Sequence, residues 1–189
     1  FTAGVGAADA QTARARVGAA ALAARTMSEE ERLEIIAARL PVGEWPSKQR
    51  LVITAVDAQT GAFVIFDRDS AVPLALAVAA SCAVPGIYPP TTIHGHRYID
   101  GGVRSGTNAD IAKGYQHALI LRAETFDVSS VDWLQSIPHV TFEDELAELQ
   151  QAGAQVLVIT PNEASAAARG PNPLDASRRD ISAKAGRAQ

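Results

Sequence analysis

Apolar positions recur along this chain with two periods, one helical and one alternating or continuous. Residues 7–25 carry Val17, Leu22 and several alanines at helical spacing, which predicts a helix with a small-residue face. MSEEERLEIIAARL, residues 27–40, predicts a second helix. Ser28 and Glu31 stand three apart as a capping box, and Leu33, Ile36, Ala37 and Leu40 form the stripe to be buried. PVGEWPSKQ breaks the period and reads as loop. RLVITAVDAQTGAFVIFDRDS then gives two strands, 51–57 and 62–67, turning at Gln59-Thr60-Gly61. LVITAV is apolar throughout, which predicts burial on both faces of a sheet.

Pro73 suits the first turn of a helix through LALAVAASCAV, with Pro85-Gly86 as its stop. TTIHGHRYID reads as a hairpin with Gly95 in its turn. NADIAKGY predicts a short helix capped by Asn108. The strands HALILRA and AQVLVITP flank the helix FEDELAELQQAG, which Gly153 ends, and the second strand is expected to be buried. Strands alternating with helices in the second half, after a hairpin in the first, predict an α/β fold. It should have three layers around a mostly parallel or mixed sheet. The main body is assigned to 1–160, with 161–189 as a tail that is partly helical or mobile.

Composition narrows the function classes. A 47% hydrophobic share over 189 residues suffices for a core, and with aromatics at 5% that core must rest on small residues. The net charge of −4 argues against nucleic acid as a partner, because phosphate tracking needs a basic face. No apolar run approaches the ~18 residues of a bilayer span. The single cysteine, Cys82, excludes an internal disulfide and points to a reducing, cytoplasmic setting.

Several chemistries lack their motif. There is no Gly-x-Ser-x-Gly elbow, no phosphate-binding Gly-x-x-x-x-Gly-Lys-Ser/Thr and no dinucleotide Gly-x-Gly-x-x-Gly after a strand. His94 and His96 lack a third metal ligand nearby and read as a surface turn, so neither a metal nor a cofactor is expected. Cys82 reads as a core filler, and Ser81 beside it has no histidine in sequence reach. DGGVRSG is richer. Asp100-Gly101-Gly102 places a carboxylate at a strand end with glycines that leave room beside it. Alternatively, Gly101, Gly102 and Gly106 form an oxyanion loop with Arg104 adding charge. The plain alternative is a turn that begins with Asp.

The order of motifs decides among these. Ala80-Ser81-Cys82-Ala83-Val84-Pro85, then Ile87-Tyr88-Pro89-Pro90, then a hairpin and Asp100-Gly101-Gly102 resemble the C-terminal half of a patatin-like phospholipase domain. Tyr88 stands where that family usually has Phe. Asn108 falls near the family's Asn behind the motif, followed here by Ala-Asp instead of x-Pro. The resemblance implies a lipid acyl hydrolase with a Ser–Asp dyad and no catalytic histidine. Asp100 would be the base, Gly101 and Gly102 the supporting motif, and a lipid or other ester the substrate. In the family the oxyanion loop and serine elbow precede this region, so both are expected upstream of Phe1, and this chain alone is expected to be inactive. A sheet without its first strands would leave 51–56 or a neighbouring strand with an open edge. That predicts association with the missing segment or a homo-oligomer. Membrane-surface contact is expected to be weak, because no basic amphipathic helix stands out. The competing reading is a non-catalytic patatin-like binding or assembly module.

Overall fold

The computed structural model describes residues 3–123, 140–172 and 175–189. Two compact units divide them, one drawn from Phe1–Asn108 and Val128–Glu145, the other from Ala109–Asp127 and Leu146–Gln189. The fold is mixed α/β, with an antiparallel sheet in the first unit and a parallel one in the second.

The first unit begins with α1 (Ala10–Ala23), whose N-cap Asp9 accepts from the Thr12 amide. Its buried face is made of Ala13, Gly18 and Ala21, while Leu22 points outward. The reason is spatial: only small side chains fit where the helix approaches the sheet. The second helix, α2 (Glu29–Arg39), has the capping box foreseen at Ser28 and Glu31. Ile36 is buried as expected, but Ala37 is exposed, and Arg32 is buried instead.

Strands β1 (Ile53–Asp57) and β2 (Phe63–Phe66) form one hairpin, β3 (Thr91–Ile93) and β4 (His96–Asp100) another. Their order is β2-β1-β4-β3, so β1 is interior rather than an edge. The second hairpin turns at His94-Gly95, both at positive φ, as a two-residue loop requires. Between the hairpins lies α3 (Leu74–Ser81), which starts after Pro73 and stops three residues earlier than the sequence suggested. Cys82 ends it, its amide donating to carbonyls of the last turn.

Alternation along the strands sends side chains to two different cores. Ala55, Phe66 and Ile93 pack with Val72, Ala77 and Ala80 on the α3 side, where Phe66 and Tyr98 meet edge to face at 5.2 Å. Val56, Ala58 and Ile99 pack with Ala21 of α1 on the other. Helix, sheet and helix thus make three layers, and both faces of β1 are buried as its sequence predicted. α2 adds to the α3 side and reaches the sheet edge, where Glu29 accepts from the Thr92 amide and hydroxyl of β3.

In the second unit β5 (His117–Leu121) pairs in parallel with β6 (Gln155–Ile159). α4 (Phe142–Gln151), which belongs to this unit from Leu146 onward, precedes β6 and places Leu149 against Ala118, Ile120 and Val156. The opposite face, with Leu119, Leu121, Leu157 and Ile159, is 42–69% exposed, so burial of β6 is confined to one face. The segment expected to be a short helix after Asn108 is a 3-10 turn, Ala109–Ala112. Beyond Thr160 the described residues contain α5 (Glu163–Arg169) and α6 (Arg179–Ala188), while 173–174 lie outside them. Among the described residues no helix is long and apolar enough to cross a membrane.

Candidate active site

Asp100 is the last residue of β4, and β4 is an interior strand. Its Cα partner on β1 is Ala55, and its amide donates to the carbonyl of Ala83 just beyond α3, at 3.1 Å. The backbone is therefore held from two sides before the side chain does anything. The chain then tightens into a 3-10 turn, Gly101–Val103, and the Asp100 carboxylate accepts from the Gly102 amide at 2.7 Å through Oδ1. Among the described residues Oδ2 makes no hydrogen bond. Burial pushes the Asp100 carboxyl above the usual range, and the Gly102 hydrogen bond opposes that only in part.

The two glycines serve different needs. A Cβ on Gly101 would lie 2.3 Å from Thr54 Oγ1 and 2.8 Å from the Thr54 carbonyl oxygen, so the turn closes against β1 only without a side chain. A Cβ on Gly102 would stand 3.0 Å from Asp100 Oδ1 and crowd the carboxylate. Neither has a positive φ. Close approach, rather than backbone reversal, is what the motif needs.

The residues after the motif hold its loop. Asn108, itself at φ 48°, donates through Nδ2 to the carbonyls of Gly101 at 3.1 Å and Ser105 at 3.0 Å. Its Oδ1 accepts from Arg104 at 2.9 Å. It therefore ties the loop together, and its side chain is spent there rather than capping the segment that follows. Arg104 also lies over the Phe63 ring at 4.2 Å and 3.8 Å from the buried carboxylate of Glu145. A guanidinium so engaged belongs to packing. Gly106 meets no neighbouring atom within 4 Å.

Cys82, read from the sequence as a core filler, lies within electrostatic reach of both Asp100 and Arg32. The Cys82 thiol is half-buried; burial raises it most, the charge of Asp100 raises it further, and Arg32 lowers it. The guanidinium of Arg32 sits 3.6 Å from the centroid of Tyr88, in the segment between α3 and the second hairpin. A charged residue in the stripe of α2 was the available signal. It was hidden because Arg32 adjoins the expected apolar position Leu33. His96, by contrast, pairs at 3.0 Å with Asp57 in the hairpin region. Burial would raise Asp57, but hydrogen bonds from Thr60, Gln59 and His96 bring it below the usual value. Among the described residues no group of three His, Cys, Asp or Glu could hold a metal ion. A cavity of about 290 Å³ lined by Trp45–Leu51 and Asp67–Asp69 contains none of the motif residues.

The arrangement offers a sheltered carboxylate with one oxygen oriented by an amide and the other open to accept a proton. Comparison with known proteins bears on what kind of chain carries it. No curated protein matches this sequence. The family model described as patatin-like phospholipase matches residues 14–113, a span that runs from α1 through Asp100, Asn108 and the 3-10 turn beyond. That span is more than half of the chain, and the chain belongs to the patatin-like phospholipase family, a family of lipid acyl hydrolases.

Proposed function

We propose that the protein hydrolyses carboxylic ester bonds of lipids through a Ser–Asp dyad in which Asp100 is the base. The observation that carries this reading is Asp100 itself. It combines an open Oδ2, burial that raises its proton affinity and a backbone pinned to both Ala83 and β1. A base must take a proton and later return it, and a carboxyl raised toward neutrality does both better than an ordinary one. A serine hydroxyl attacks the ester carbonyl while its proton passes to Asp100. The tetrahedral oxyanion is met by backbone N–H groups, and the protonated Asp100 gives its proton to the departing alkoxide. Water, activated by the same carboxylate, then frees the acyl group.

Residues 1–189 contain no Gly-x-Ser-x-Gly, so the dyad requires a serine contributed from outside them. The same gap in the sequence favours a second reading, a non-catalytic member of the family that binds lipid or assembles with a partner. The setting is proposed to be cytoplasmic, and contact with membrane surfaces weak. A fluorophosphonate probe separates the two readings. Labelling of the parent protein, together with a large loss of ester hydrolysis in Asp100→Asn, supports the enzyme. Absence of labelling together with no ester hydrolysis by the wild type leaves the binding module, and hydrolysis unchanged in Asp100→Asn removes Asp100 as the base.

A further inference from the structure

Glu145 is 0% exposed in the first turn of α4, and it belongs to the first unit together with Asp100 and the loop that follows it. The acyl-hydrolase reading makes no use of it. Its Oε2 accepts from the Thr107 hydroxyl. Its Oε1 lies 3.8 Å from Arg104 Nη1 and makes no hydrogen bond among the described residues. A carboxylate sealed from water is costly unless an opposite charge and well-placed donors offset it. Here the offset comes from two ends of one loop, Arg104 and Thr107. A buried charge that grips a loop twice fixes its path more closely than an apolar filler would.

From that loop a series of contacts runs back to Asp100. The Arg104 Nη1 that faces Glu145 also donates to Asn108 Oδ1 at 2.9 Å, which sets the direction of the Asn108 amide. Asn108 Nδ2 then donates to the Gly101 carbonyl at 3.1 Å, and the Arg104 backbone N–H donates to the same carbonyl at 3.0 Å. That carbonyl shares its peptide with the Gly102 N–H, which donates to Asp100 Oδ1 at 2.7 Å. A peptide is planar, so whatever fixes its carbonyl also aims its N–H. Arg104 would not stay in place unaided. Arg14 of α1 is held below its usual value by burial first and by the charge of Arg104 next, so these two cations repel. Glu145 supplies the opposite charge.

We propose that Glu145 is a positioning residue for Asp100: through Arg104 and Asn108 it orients the peptide between Gly101 and Gly102, and so the carboxylate oxygen which that peptide's N–H holds. A role in turnover rests on the reading of Asp100 as the base, but the coupling itself is measured without turnover. The readout is the pH titration of the Gly102 amide proton by NMR in the full chain, because that N–H reports the charge of the carboxylate it binds. Cys82 is the other titratable group that feels Asp100, and burial raises its thiol away from the carboxyl range. In Glu145→Gln the Gly102 hydrogen bond weakens, burial is opposed less, and the midpoint moves to higher pH. Loss of a negative charge acting through space would move it to lower pH, so a purely electrostatic role has the opposite sign. Arg104→Lys keeps the charge that faces Glu145 but loses the planar fork that also reaches Asn108. It moves the midpoint the same way and covers the case in which Glu145→Gln does not fold. In the parent protein Glu145→Gln lowers kcat for ester hydrolysis roughly 10- to 100-fold with KM little changed, the scale of a misplacement near the reacting atoms. A Gly102 midpoint that stays or falls in either variant that folds overturns the proposal. So does an unchanged kcat in a parent whose hydrolysis depends on Asp100. Hydrolysis unchanged in Asp100→Asn is a different failure: it removes the base and leaves the Gly102 titration to decide the coupling.

Discussion

The two sheets of this protein were made from similar sequence and met different fates. β1 and β6 both read as apolar runs, LVITAV and AQVLVIT. β1 lies between two antiparallel partners with a helix-borne core on each face, and both faces are buried. β6 has one parallel partner and one covered face, and Leu157 and Ile159 stand open with Leu119 and Leu121 of β5. Parallel sheets are ordinarily covered on both sides. A carboxylate proposed as a base needs the first environment. Asp100 is held because every layer around β4 is filled, and a residue at the same register on β5 would have no such frame.

The largest effect belongs at that frame's centre. Asp100→Asn in the parent protein is expected to cut ester hydrolysis by about 100- to 10,000-fold, the usual value of a positioned base. Its stability should move the other way. Burial raises the folded Asp100 carboxyl above its usual 3.8, so the folded chain holds this proton more tightly than the unfolded one. Below the unfolded value both states are protonated, and the substitution changes little. As pH rises through the unfolded and then the folded value, the wild type loses stability that the Asn variant keeps. Melting curves between pH 3 and 7 should therefore show the variant gaining on the wild type toward neutrality. A variant that falls behind as pH rises would mean that the ionised carboxylate is stabilised in the fold.

Next come the buried and open faces. Ile99, fully buried between sheet and α1, should cost about 2–5 kcal/mol as Ile99→Ala, and Leu149→Ala in the second unit should cost the same. Leu119→Ala, 60% exposed, should stay within about 0.5 kcal/mol. Urea midpoints of the three variants check this. A Leu119→Ala cost near that of Ile99→Ala would show that the open face of β5 and β6 is covered in solution.

Gly101→Ala ranks third. The new Cβ would press on Thr54 within 2.3 Å and push β1 from the turn, at about 1–3 kcal/mol, whereas Gly106→Ala meets nothing and should be neutral. Hydrolysis should fall with Gly101→Ala, because Asp100 is the residue next door. The Asp-Gly-Gly motif carries its glycines for packing, and thermal melting of this pair tests that reading directly.

What the sequence revealed follows from how local each signal is. The capping box at Ser28, the turn at His94-Gly95 and the strand at 53–57 are set by neighbours within a few residues, and all could be read. Asp100 stood out in the sequence because it closes an ordered series of motifs. Arg32 did not, since its burial depends on Tyr88, more than fifty positions away, and on the packing of α2 against α3. Asn108 was read as a cap, but its side chain is drawn back to Gly101 and Ser105 by a loop whose path no period encodes. The one-sided burial of β6 escaped for a like reason. An apolar run says that a strand wants cover, not how much of it the chain provides.

The smallest effect concerns helix starts, one in each unit. Ser28→Ala removes the acceptor of the Glu31 amide and a donor to Glu31, and should cost about 1 kcal/mol. Asn162→Ala, whose side chain accepts from the Ser165 amide at the start of α5, should cost a similar amount. The two should differ in reach. The first turn of α2 carries Glu29, bound to the edge of β3, and Arg32, stacked on Tyr88. Fraying that turn in Ser28→Ala should therefore speed amide exchange at Thr92, an edge-strand N–H whose acceptor is the Glu29 carboxylate. Asn162→Ala should leave Thr92 unchanged. If exchange at Thr92 proves indifferent to Ser28→Ala, then the sheet rather than the cap holds the start of α2, and Arg32 keeps its place by packing on Tyr88 alone.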